Sequence, residues 1–364
     1  MNHTPHTIAQ ALAWAHAQGL ARIDAQLLLL HALARPDAGR AWLLAHDTDV
    51  LDAGVDGAFT ALCQRRATGE PVAYLTGHKE FYGLALQVDA RVLDPRPDTE
   101  TLVDWALEVI AARPAHHGVP HIVDLGTGSG AIALALQHQC PSAKVWAVDA
   151  SADALAVAQA NATRLNLPVQ FVRGNWLAGL RGLPSAEVTV TEVAQRDDGG
   201  NGHGGQCGNS SNHTSHSSYS GPSLFDPHID TRGERPEQGY SGYSGYSGYS
   251  GYSGYSGPSL FDLIVSNPPY IAAQDPHLAA LTHEPLQALA SGPDGLDDIR
   301  TIVAQAPAHL RPGGWLLLEH GHDQSIAVQT LLQTSGFTHI QSRNDLAGTA
   351  RCTGGQWPLT QTVK

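Results

Sequence analysis

The spacing of apolar residues changes near residue 76 of the chain. Before that point apolar residues recur at helical spacing, as Ile8 and Leu12 do at i and i+4, and this periodicity predicts a small helical bundle over residues 1–75. Residues 76–97 contain the stretch 80-EFYGLALQVDARVL-93, in which apolar and polar positions alternate. Because this alternation is typical of half-buried strands, we predict a β-hairpin linker there.

Beyond residue 98, short apolar runs alternate with helix-like segments rich in alanine and leucine. Such alternation indicates a parallel sheet covered by helices on both faces. Residues 98–364 are therefore interpreted as an α/β domain, to which residues 337–342 and the tail beyond Ala350 are expected to add edge strands. The other strands are predicted at 121-HIVDL-125, 144-KVWAVD-149, 168-PVQFVR-173, 261-FDLIVS-266 and 315-WLLLEH-320.

A low-complexity insert interrupts this domain at about residues 181–257. It is rich in Gly, Ser, Asn and His, holds six consecutive Tyr-Ser-Gly units from Tyr240 to Gly257, and repeats the octet 219-YSGPSLFD-226 at 255–262. Such a segment buries too little apolar area to offset the entropy lost on ordering, so we predict that it is disordered. Copying slippage within a surface loop explains the duplication, since added loop length costs little closure entropy. Partner binding or self-association through the repeat is the alternative.

Composition narrows the partners and the compartment. With 364 residues, 42% of them hydrophobic, and a net charge of −13, the chain can bury sizeable cores but offers no broad basic surface for a nucleic-acid backbone. The first residues do not resemble an export signal, and no run approaches the roughly 18 apolar residues of a membrane span, so we expect a cytoplasmic protein without membrane contact. Neither a metal site nor a disulfide framework is indicated by the four scattered cysteines, Cys63, Cys140, Cys207 and Cys352.

Three glycines follow the first strand of the α/β domain in 124-DLGTGSG-130. Glycines let the backbone turn sharply and approach a ligand, and the next helix presents free N–H groups. The G-x-G-x-G spacing differs from that of dinucleotide sites, and Asp149 ends the next strand, where a carboxylate can accept both hydroxyls of a ribose. This combination suits S-adenosylmethionine; a tight turn packing a helix on a strand is the alternative. The candidate cofactor-binding residues are Gly126, Thr127, Gly128, Ser129, Gly130 and Asp149.

The tetrad Asn267-Pro268-Pro269-Tyr270 follows the fourth strand. Open parallel sheets bind ligands at the carboxyl ends of their strands, so the tetrad and the glycine loop are expected to face one crevice. The prolines fix the backbone. Two rigid acceptors, the Asn267 side-chain oxygen and the Pro268 carbonyl, can then accept hydrogen bonds from both N–H groups of a planar NH₂ group. They would thereby direct its nitrogen at an electrophilic methyl. Tyr270 can pack against the planar group. The alternative is that the same four residues form a strand-ending turn with a surface tyrosine.

These motifs, in this order, resemble those of class I S-adenosylmethionine-dependent methyltransferases that modify planar NH₂ groups. Three further segments closely resemble the PrmC/HemK family, which methylates the glutamine side-chain amide nitrogen in the Gly-Gly-Gln motif of peptide chain release factors and so supports translation termination. The segments are 70-EPVAYLTGHKEFYGLALQVDARVLDPRPDTETLV-103, 284-EPLQAL-289 and 314-GWLLLEHG-321. The resemblance implies a Rossmann-like, mostly parallel seven-stranded sheet, S-adenosylmethionine as methyl donor with S-adenosylhomocysteine as product, and a helical N-terminal domain that docks the release factor.

The same resemblance assigns roles to individual residues. It implies cofactor contacts from the glycine loop and from Asp149, Trp176 and Asn267. It implies that the substrate glutamine is bound by Asn267, Pro268, Pro269 and Tyr270, of which Asn267, Pro268 and Tyr270 are catalytic. The chain departs from the family at Asn175, where aspartate is common; an amide accepts a hydrogen bond but brings no charge.

The stretch 95-PRPDTE-100 is interpreted in two ways. Its composition predicts a helix start with Asp98 as the cap and Glu100 in the first turn. The resemblance instead implies a role near the cofactor.

Other functions also fit the motifs. A nucleic-acid amino-methyltransferase would use a similar clamp on adenine or guanine, but it would need base flipping and a basic groove, which the acidic charge disfavours. A non-enzymatic cofactor-binding scaffold could associate through the Tyr-Ser-Gly units. The chain itself contains Gly-Gly-Gln at 204–206 and 354–356, so self-methylation is a further hypothesis.

Overall fold

The N-terminal region folds as helices, as its apolar spacing predicts. A computed structural model of the chain describes residues 6–114, 118–180 and 260–359. Helix α1 begins after Thr7, whose side chain accepts from the Gln10 amide while the Gln10 side chain accepts from the Thr7 amide. This reciprocal capping box satisfies two otherwise free N–H groups. The five N-terminal helices are α1 (Ile8–Ala17), α2 (Arg22–Ala32), α3 (Gly39–Ala45), α4 (Ala53–Ala67) and α5 (Val72–Thr76).

A short hairpin follows, formed by β1 (His78–Phe81) and β2 (Leu84–Gln87). Its two turn residues, Tyr82 and Gly83, both have positive φ, 51° and 77°, as a tight hairpin turn matching the strand twist requires. The paired strands thus cover less than the predicted linker of residues 76–97. Asn161 binds both the N–H and the carbonyl of Gln87, at 2.7 and 2.9 Å, and so fastens the hairpin to the α/β region.

The α/β region is built on a seven-stranded sheet in the order β5-β4-β3-β6-β7-β9-β8. All neighbours are parallel except β7 with β9 and β9 with β8. The tail strand β9 therefore lies inside the sheet, and its prediction as an edge strand was wrong. The edge strands are β8 and, on the other side, β5. The strands are β3 (His121–Leu125), β4 (Lys144–Asp149), β5 (Val169–Arg173), β6 (Phe261–Ser266), β7 (Leu310–Glu319), β8 (Thr338–Asn344) and β9 (Ala350–Gln356).

Helices cover the sheet and bury its central strands. Every residue of β6 is buried, as is all of β3 apart from its first residue, which explains why these strands read as continuous apolar runs. All described residues belong to one compact unit. The covering helices are α6 (Glu100–Ala111), α7 (Ala131–Gln139), α8 (Ala152–Leu165), α9 (Asp297–Gln305) and α10 (Ser325–Thr334).

Two sequence predictions concern segments away from the sheet centre. The insert at 181–257, with its Tyr-Ser-Gly repeat and its Gly-Gly-Gln at 204–206, lies outside the described residues. The second Gly-Gly-Gln forms the end of β9, where Gly354 and Gly355 are buried and Gln356 donates a 2.9 Å bond to the Gly313 carbonyl. Within the described part of the chain, no helix combines the length and apolarity needed to cross a membrane.

Candidate active site

The strand order reverses between β3 and β6, and the candidate residues follow these two strands. Leu125 pairs with Ser266 in parallel register, and Ser266 Oγ donates a 2.7 Å bond to the Leu125 carbonyl. The next residues, Gly126 and Asn267, therefore leave the sheet side by side. A reversal of strand order opens a crevice at the carboxyl ends of the strands, where open α/β sheets bind ligands.

A cleft occupies this position, and we call it the switch-point cleft. Six segments of the chain meet around it: the segment after β2, the glycine loop, the end of β4 with the start of α8, the segment after β5, the Asn-Pro-Pro-Tyr tetrad and the segment beyond the tetrad. Its lining residues are Arg91, Val92, Leu93, Gly126, Gly128, Asp149, Ala150, Ser151, Ala154, Gly174, Asn175, Trp176, Asn267, Pro269, Pro285, Gln287 and Ala288.

Glycine is needed at the two ends of the glycine loop for different structural reasons. A Cβ on Gly126 would lie 3.1 Å from a ring carbon of Trp176, so glycine lets the indole stand directly against the backbone. Gly130 precedes α7 with φ of 86°, and a Cβ there would lie 3.0 Å from Leu134 and 3.2 Å from Ala158. The first glycine thus shapes the cleft, whereas the third permits helix packing, as the tight-turn alternative proposed.

Asp149 is tied to the glycine loop by its own side chain. Its two carboxylate oxygens accept 2.9 Å bonds from the N–H groups of Gly128 and Ser151. Burial raises the pKa of Asp149 above its ordinary value, while these backbone bonds lower it. An ionised carboxylate has about four acceptor positions. Asp149 therefore keeps acceptor capacity on the side that lines the cleft.

Trp176 forms an aromatic wall of the cleft. Its backbone has a φ of 51°, a conformation that non-glycine residues adopt rarely and that surrounding contacts must hold. The indole Nε1 donates a 3.1 Å bond to Asp298 Oδ1 at the start of α9. The neighbouring Asn175 is exposed and also lines the cleft.

The tetrad presents its first residue to the cleft and its last to a buried acid. Asn267 lines the cleft and donates from Nδ2 to Thr99 Oγ1 at 3.1 Å. The Tyr270 hydroxyl donates to Glu319 Oε1 at 3.3 Å. Glu319 is 1% exposed, and burial raises its pKa to about 7, partly offset by the Thr99 hydroxyl and by nearby positive charge. Burial also raises the pKa of Tyr270.

The structure brings most, but not all, of the predicted site residues to the cleft surface. Those that line it are Gly126, Gly128, Asp149, Trp176, Asn267 and Pro269. Those that lie behind or beside that surface are Thr127, Ser129, Gly130, Pro268 and Tyr270. Thr127, for example, is buried and donates a 2.7 Å bond to Asp124 Oδ2. The binding and catalytic roles of both groups stay predictions.

The 95-PRPDTE-100 stretch does start a helix, but Asp98 is not its cap. The N-cap position of α6 is Thr99, and Asp98 instead pairs with Arg351 at 3.2 Å. Glu100 is the first residue of α6, and its carboxylate accepts from the Tyr82 amide at 3.0 Å. Asp98 lies inside the 3₁₀ turn Pro97–Thr99 that leads into α6, so it stands one residue before the cap position and its side chain is left to pair with Arg351.

Sequence reasoning did not single out several buried groups of this region. Asp124 is fully buried, and burial raises its pKa to about 7. Thr99 and Glu319 stand behind Asn267 and Tyr270. Glu319 lies within 314-GWLLLEHG-321, where an acid ending an apolar strand was a usable signal. No such signal points to Thr99, because its role depends on which residues the fold brings against it.

The fold and the cleft together define a class of protein. A seven-stranded sheet with this order and one reversed internal strand, a glycine loop after the first strand of the sheet, and an Asn-Pro-Pro-Tyr tetrad after the fourth define a class I methyltransferase domain. Among solved structures, a methyltransferase from Pyrococcus furiosus aligns at 15% identity over 81% of this chain and 99% of that chain, with a TM-score of 0.43.

Sequence comparisons identify the family. The family model described as the PrmC N-terminal domain matches residues 8–77, and one described as a methyltransferase domain matches residues 122–191. The release factor glutamine methyltransferase of Xylella fastidiosa (strain Temecula1) is 40% identical over 96% of this chain and 98% of that protein. That of Burkholderia pseudomallei (strain K96243) is 37% identical over 98% of this chain and 100% of that protein. The chain belongs to the release factor glutamine methyltransferase family.

Proposed function

We propose that this protein transfers a methyl group from S-adenosylmethionine to the side-chain amide nitrogen of the glutamine in the Gly-Gly-Gln motif of peptide chain release factors. Relatives carrying that name match nearly the whole chain. The observation that carries the proposal is that Asn267 lines the same cleft as Gly126 and Asp149. An amide acceptor and a nucleoside-type pocket thus share one space. A cytoplasmic location, where release factors act, is part of the proposal.

The residues of the cleft fit the proposed methyl donor. Asp149 retains acceptor positions for ribose hydroxyls, Gly126 and Gly128 allow close backbone approach, and Trp176 offers an apolar wall. When bound, S-adenosylmethionine supplies an electrophilic methyl on a positively charged sulfur. Thr127 and Gly126 anchor the loop by donating to the Val148 carbonyl at 3.0 and 2.8 Å, so the pocket is held in shape before any ligand arrives.

The tetrad supplies what a poor nucleophile needs. An amide nitrogen delocalises its lone pair into the carbonyl, and the roughly 18–20 kcal/mol rotation barrier of a peptide bond measures that conjugation. Asn267 Oδ1 and the Pro268 carbonyl would accept hydrogen bonds from the two N–H groups and orient the nitrogen. They would also stabilise the positive charge that the nitrogen gains as its bond to the methyl carbon forms and the bond between that carbon and the donor's sulfur breaks, leaving its electron pair on sulfur. Tyr270 would pack beside the amide plane. The surplus proton then leaves the nitrogen for water.

The helical N-terminal region is the proposed docking surface for the release factor. It corresponds to the matched PrmC N-terminal domain. Four of the nine large hydrophobic residues that are exposed in the described chain lie there: Ile23, Leu27, Leu44 and Val50. These exposed apolar side chains are candidates for contacts with a protein substrate. We propose residues 1–75 as this docking region, 76–97 as the linker and 98–364 as the methyltransferase domain.

The test is methyl transfer from radiolabelled S-adenosylmethionine to three acceptors. A release factor should be labelled, whereas the same factor with the glutamine of its Gly-Gly-Gln replaced by alanine should not. Label on DNA or ribosomal RNA in place of the factor would overturn the proposal in favour of nucleic-acid methylation. Asn267→Ala should lower turnover about 10²–10³-fold, the usual cost of losing one preorganised transition-state contact, with an unchanged circular dichroism spectrum.

A further inference from the structure

The side chain of Asn267 has two similar ends, and the proposed function needs a particular one in the cleft. Its oxygen can accept from a substrate NH₂, whereas its own NH₂ group can only donate. The two ends exchange places by rotation about the last side-chain bond. The groups behind Asn267 therefore decide whether the cleft presents an acceptor or a donor.

Thr99 is the group directly behind Asn267. Its side chain is buried, at 4% exposure, and its Oγ1 lies 3.1 Å from Asn267 Nδ2. Although Thr99 occupies the N-cap position of α6, its side chain makes no capping bond to that helix. The hydroxyl is therefore free to serve Asn267 on one side and another partner on the other.

Glu319 is that other partner. It ends β7, the strand next to β6, and Leu318 pairs with Ser266, the residue just before Asn267. The Thr99 hydroxyl lowers the pKa of Glu319, as a hydroxyl that donates to a carboxylate does, and Tyr270 donates to Glu319 Oε1 at 3.3 Å. Above about pH 7, where the Glu319 carboxylate is ionised, it can only accept hydrogen bonds. The single hydroxyl proton of Thr99 is then committed to Glu319, and the lone pairs of the hydroxyl are left to accept from Asn267.

From this arrangement we infer that Thr99 and Glu319 are positioning residues that hold the Asn267 amide with Nδ2 buried and Oδ1 in the switch-point cleft. The inference rests on the proposed function for its consequence in catalysis, but the orientation itself does not depend on it. Each bond in the series fixes the next: the carboxylate orients the hydroxyl, and the hydroxyl orients the amide.

The consequence is a choice between chemically similar substrates. With Oδ1 fixed in the cleft, the site accepts from an NH₂ group and offers no side-chain donor from Asn267. A glutamine amide can donate a hydrogen bond to that acceptor. A glutamate carboxylate has no N–H to donate, and its oxygens would be repelled by Asn267 Oδ1. Sites with a committed polar partner reject the wrong group strongly, because buried polar atoms are then left unpaired.

The orientation can be measured without any methyl transfer. In full-length protein labelled with ¹⁵N-asparagine, Asn267→Ala identifies the side-chain NH₂ signals of Asn267 by their loss. Above about pH 7, where Glu319 is ionised, we expect one Nδ2 proton to exchange slowly with solvent in the wild type. Exchange should become at least tenfold faster in Thr99→Val, which keeps the side-chain shape but removes the hydroxyl, and stay within threefold in Thr99→Ser. Wild-type exchange as fast as that of Thr99→Val would overturn the inference.

Kinetics then test the catalytic consequence with the same variants. Thr99→Val should lower kcat for a release factor at least tenfold while KM for S-adenosylmethionine stays within threefold, and Thr99→Ser should retain wild-type kcat within threefold. The kcat of Glu319→Gln should lie between those of Thr99→Val and Thr99→Ser, since a carboxamide can offer Thr99 either a donor or an acceptor. If Thr99→Val loses the slow proton but keeps wild-type kcat, the positioning role is wrong. If the wild type labels no release factor, the proposed function fails, whereas the exchange measurement still decides the orientation.

Discussion

Trp176 donates a 3.1 Å hydrogen bond from its indole Nε1 to Oδ1 of Asp298, 122 residues further along the chain. The other carboxylate oxygen of Asp298 accepts a 2.7 Å bond from Ser291 Oγ, and the Ser291 amide in turn donates to the Ile271 carbonyl next to the tetrad. One carboxylate therefore connects the aromatic wall beside Gly126 to the segment that follows Tyr270.

Removing this carboxylate should loosen the aromatic wall. We expect Asp298→Ala to weaken binding of S-adenosylhomocysteine about tenfold, a loss of about 1.4 kcal/mol, because the indole loses its only side-chain hydrogen bond within the described chain. Isothermal titration calorimetry measures the change. Ser291→Ala is the matched control, since it removes the 2.7 Å bond to Asp298 but leaves the hydrogen bond between Trp176 and Asp298 in place. Equal losses of affinity in the two variants would contradict the explanation.

Two glycines of the loop should respond differently to alanine. Gly126 and Gly128 both have positive φ, 70° and 55°, so alanine at either position should cost about 1–2 kcal/mol of unfolding free energy through backbone strain. Only at Gly126 does the added Cβ meet a neighbour, the Trp176 ring at 3.1 Å; at Gly128 nothing lies within 4 Å. Urea unfolding without ligand should therefore show Gly126→Ala to be less stable than Gly128→Ala by about a further 1 kcal/mol. The reverse order would show that the ring moves aside freely.

The buried acid behind the tetrad should make stability depend on pH. Burial raises the pKa of Glu319 from 4.5 to about 7, so between these values the unfolded chain has released a proton that the folded protein retains. The free energy of unfolding should therefore fall as pH rises from about 4.5 to about 7, by ~3 kcal/mol. The charged and titratable groups facing Glu319 are Asp98, Tyr270, Arg351 and Cys352.

Glu319→Gln should remove this part of the pH dependence. Asp124 should still contribute a decline in the same direction, because burial raises its pKa from 3.8 to about 7. Glu108→Gln is the control: that carboxylate is largely exposed, and its hydrogen bond with Arg343 lowers its pKa instead. Urea unfolding at several pH values checks the comparison, and a Glu319→Gln curve as steep as that of the wild type would show that Glu319 titrates normally.

Replacing Asn175 by aspartate should increase the affinity of the cleft for S-adenosylhomocysteine. Asn175 lines the switch-point cleft, at a position where the resemblance to the PrmC/HemK family implies aspartate. A carboxylate is a stronger acceptor for the amino group of an adenine than an amide is, so Asn175→Asp should tighten binding of S-adenosylhomocysteine about two- to tenfold. Equilibrium dialysis measures the affinity, with Asn175→Ala as the variant that lacks an acceptor and should bind more weakly than the wild type. Weaker binding in Asn175→Asp would indicate that repulsion from Asp149 outweighs the better hydrogen bond.

Local patterns were sufficient for much of the fold. The strands at 144–149 and 261–266 were predicted with the bounds that the structure has, because a strand buried on both faces leaves an unbroken apolar run. The glycine loop was identified by its sequence alone, since positive φ favours glycine at all three positions and close neighbours exclude a side chain at Gly126 and Gly130. The reversal of β9, by contrast, left no local trace, as an internal antiparallel strand and an edge strand read alike.

The sequence by itself determined the elements, their order and the residues that leave β3 and β6, because backbone periodicity, turn chemistry and a parallel register are local or nearly local effects. Only the tertiary structure decided which partners stand behind those residues. Asp98 looked like a helix cap and instead pairs with Arg351, while Thr99 and Glu319, 220 positions apart in the sequence, meet behind Asn267. Hydrogen bonds and ion pairs of this kind depend on distances between side chains that the chain brings together only when it folds, and no spacing of letters encodes them.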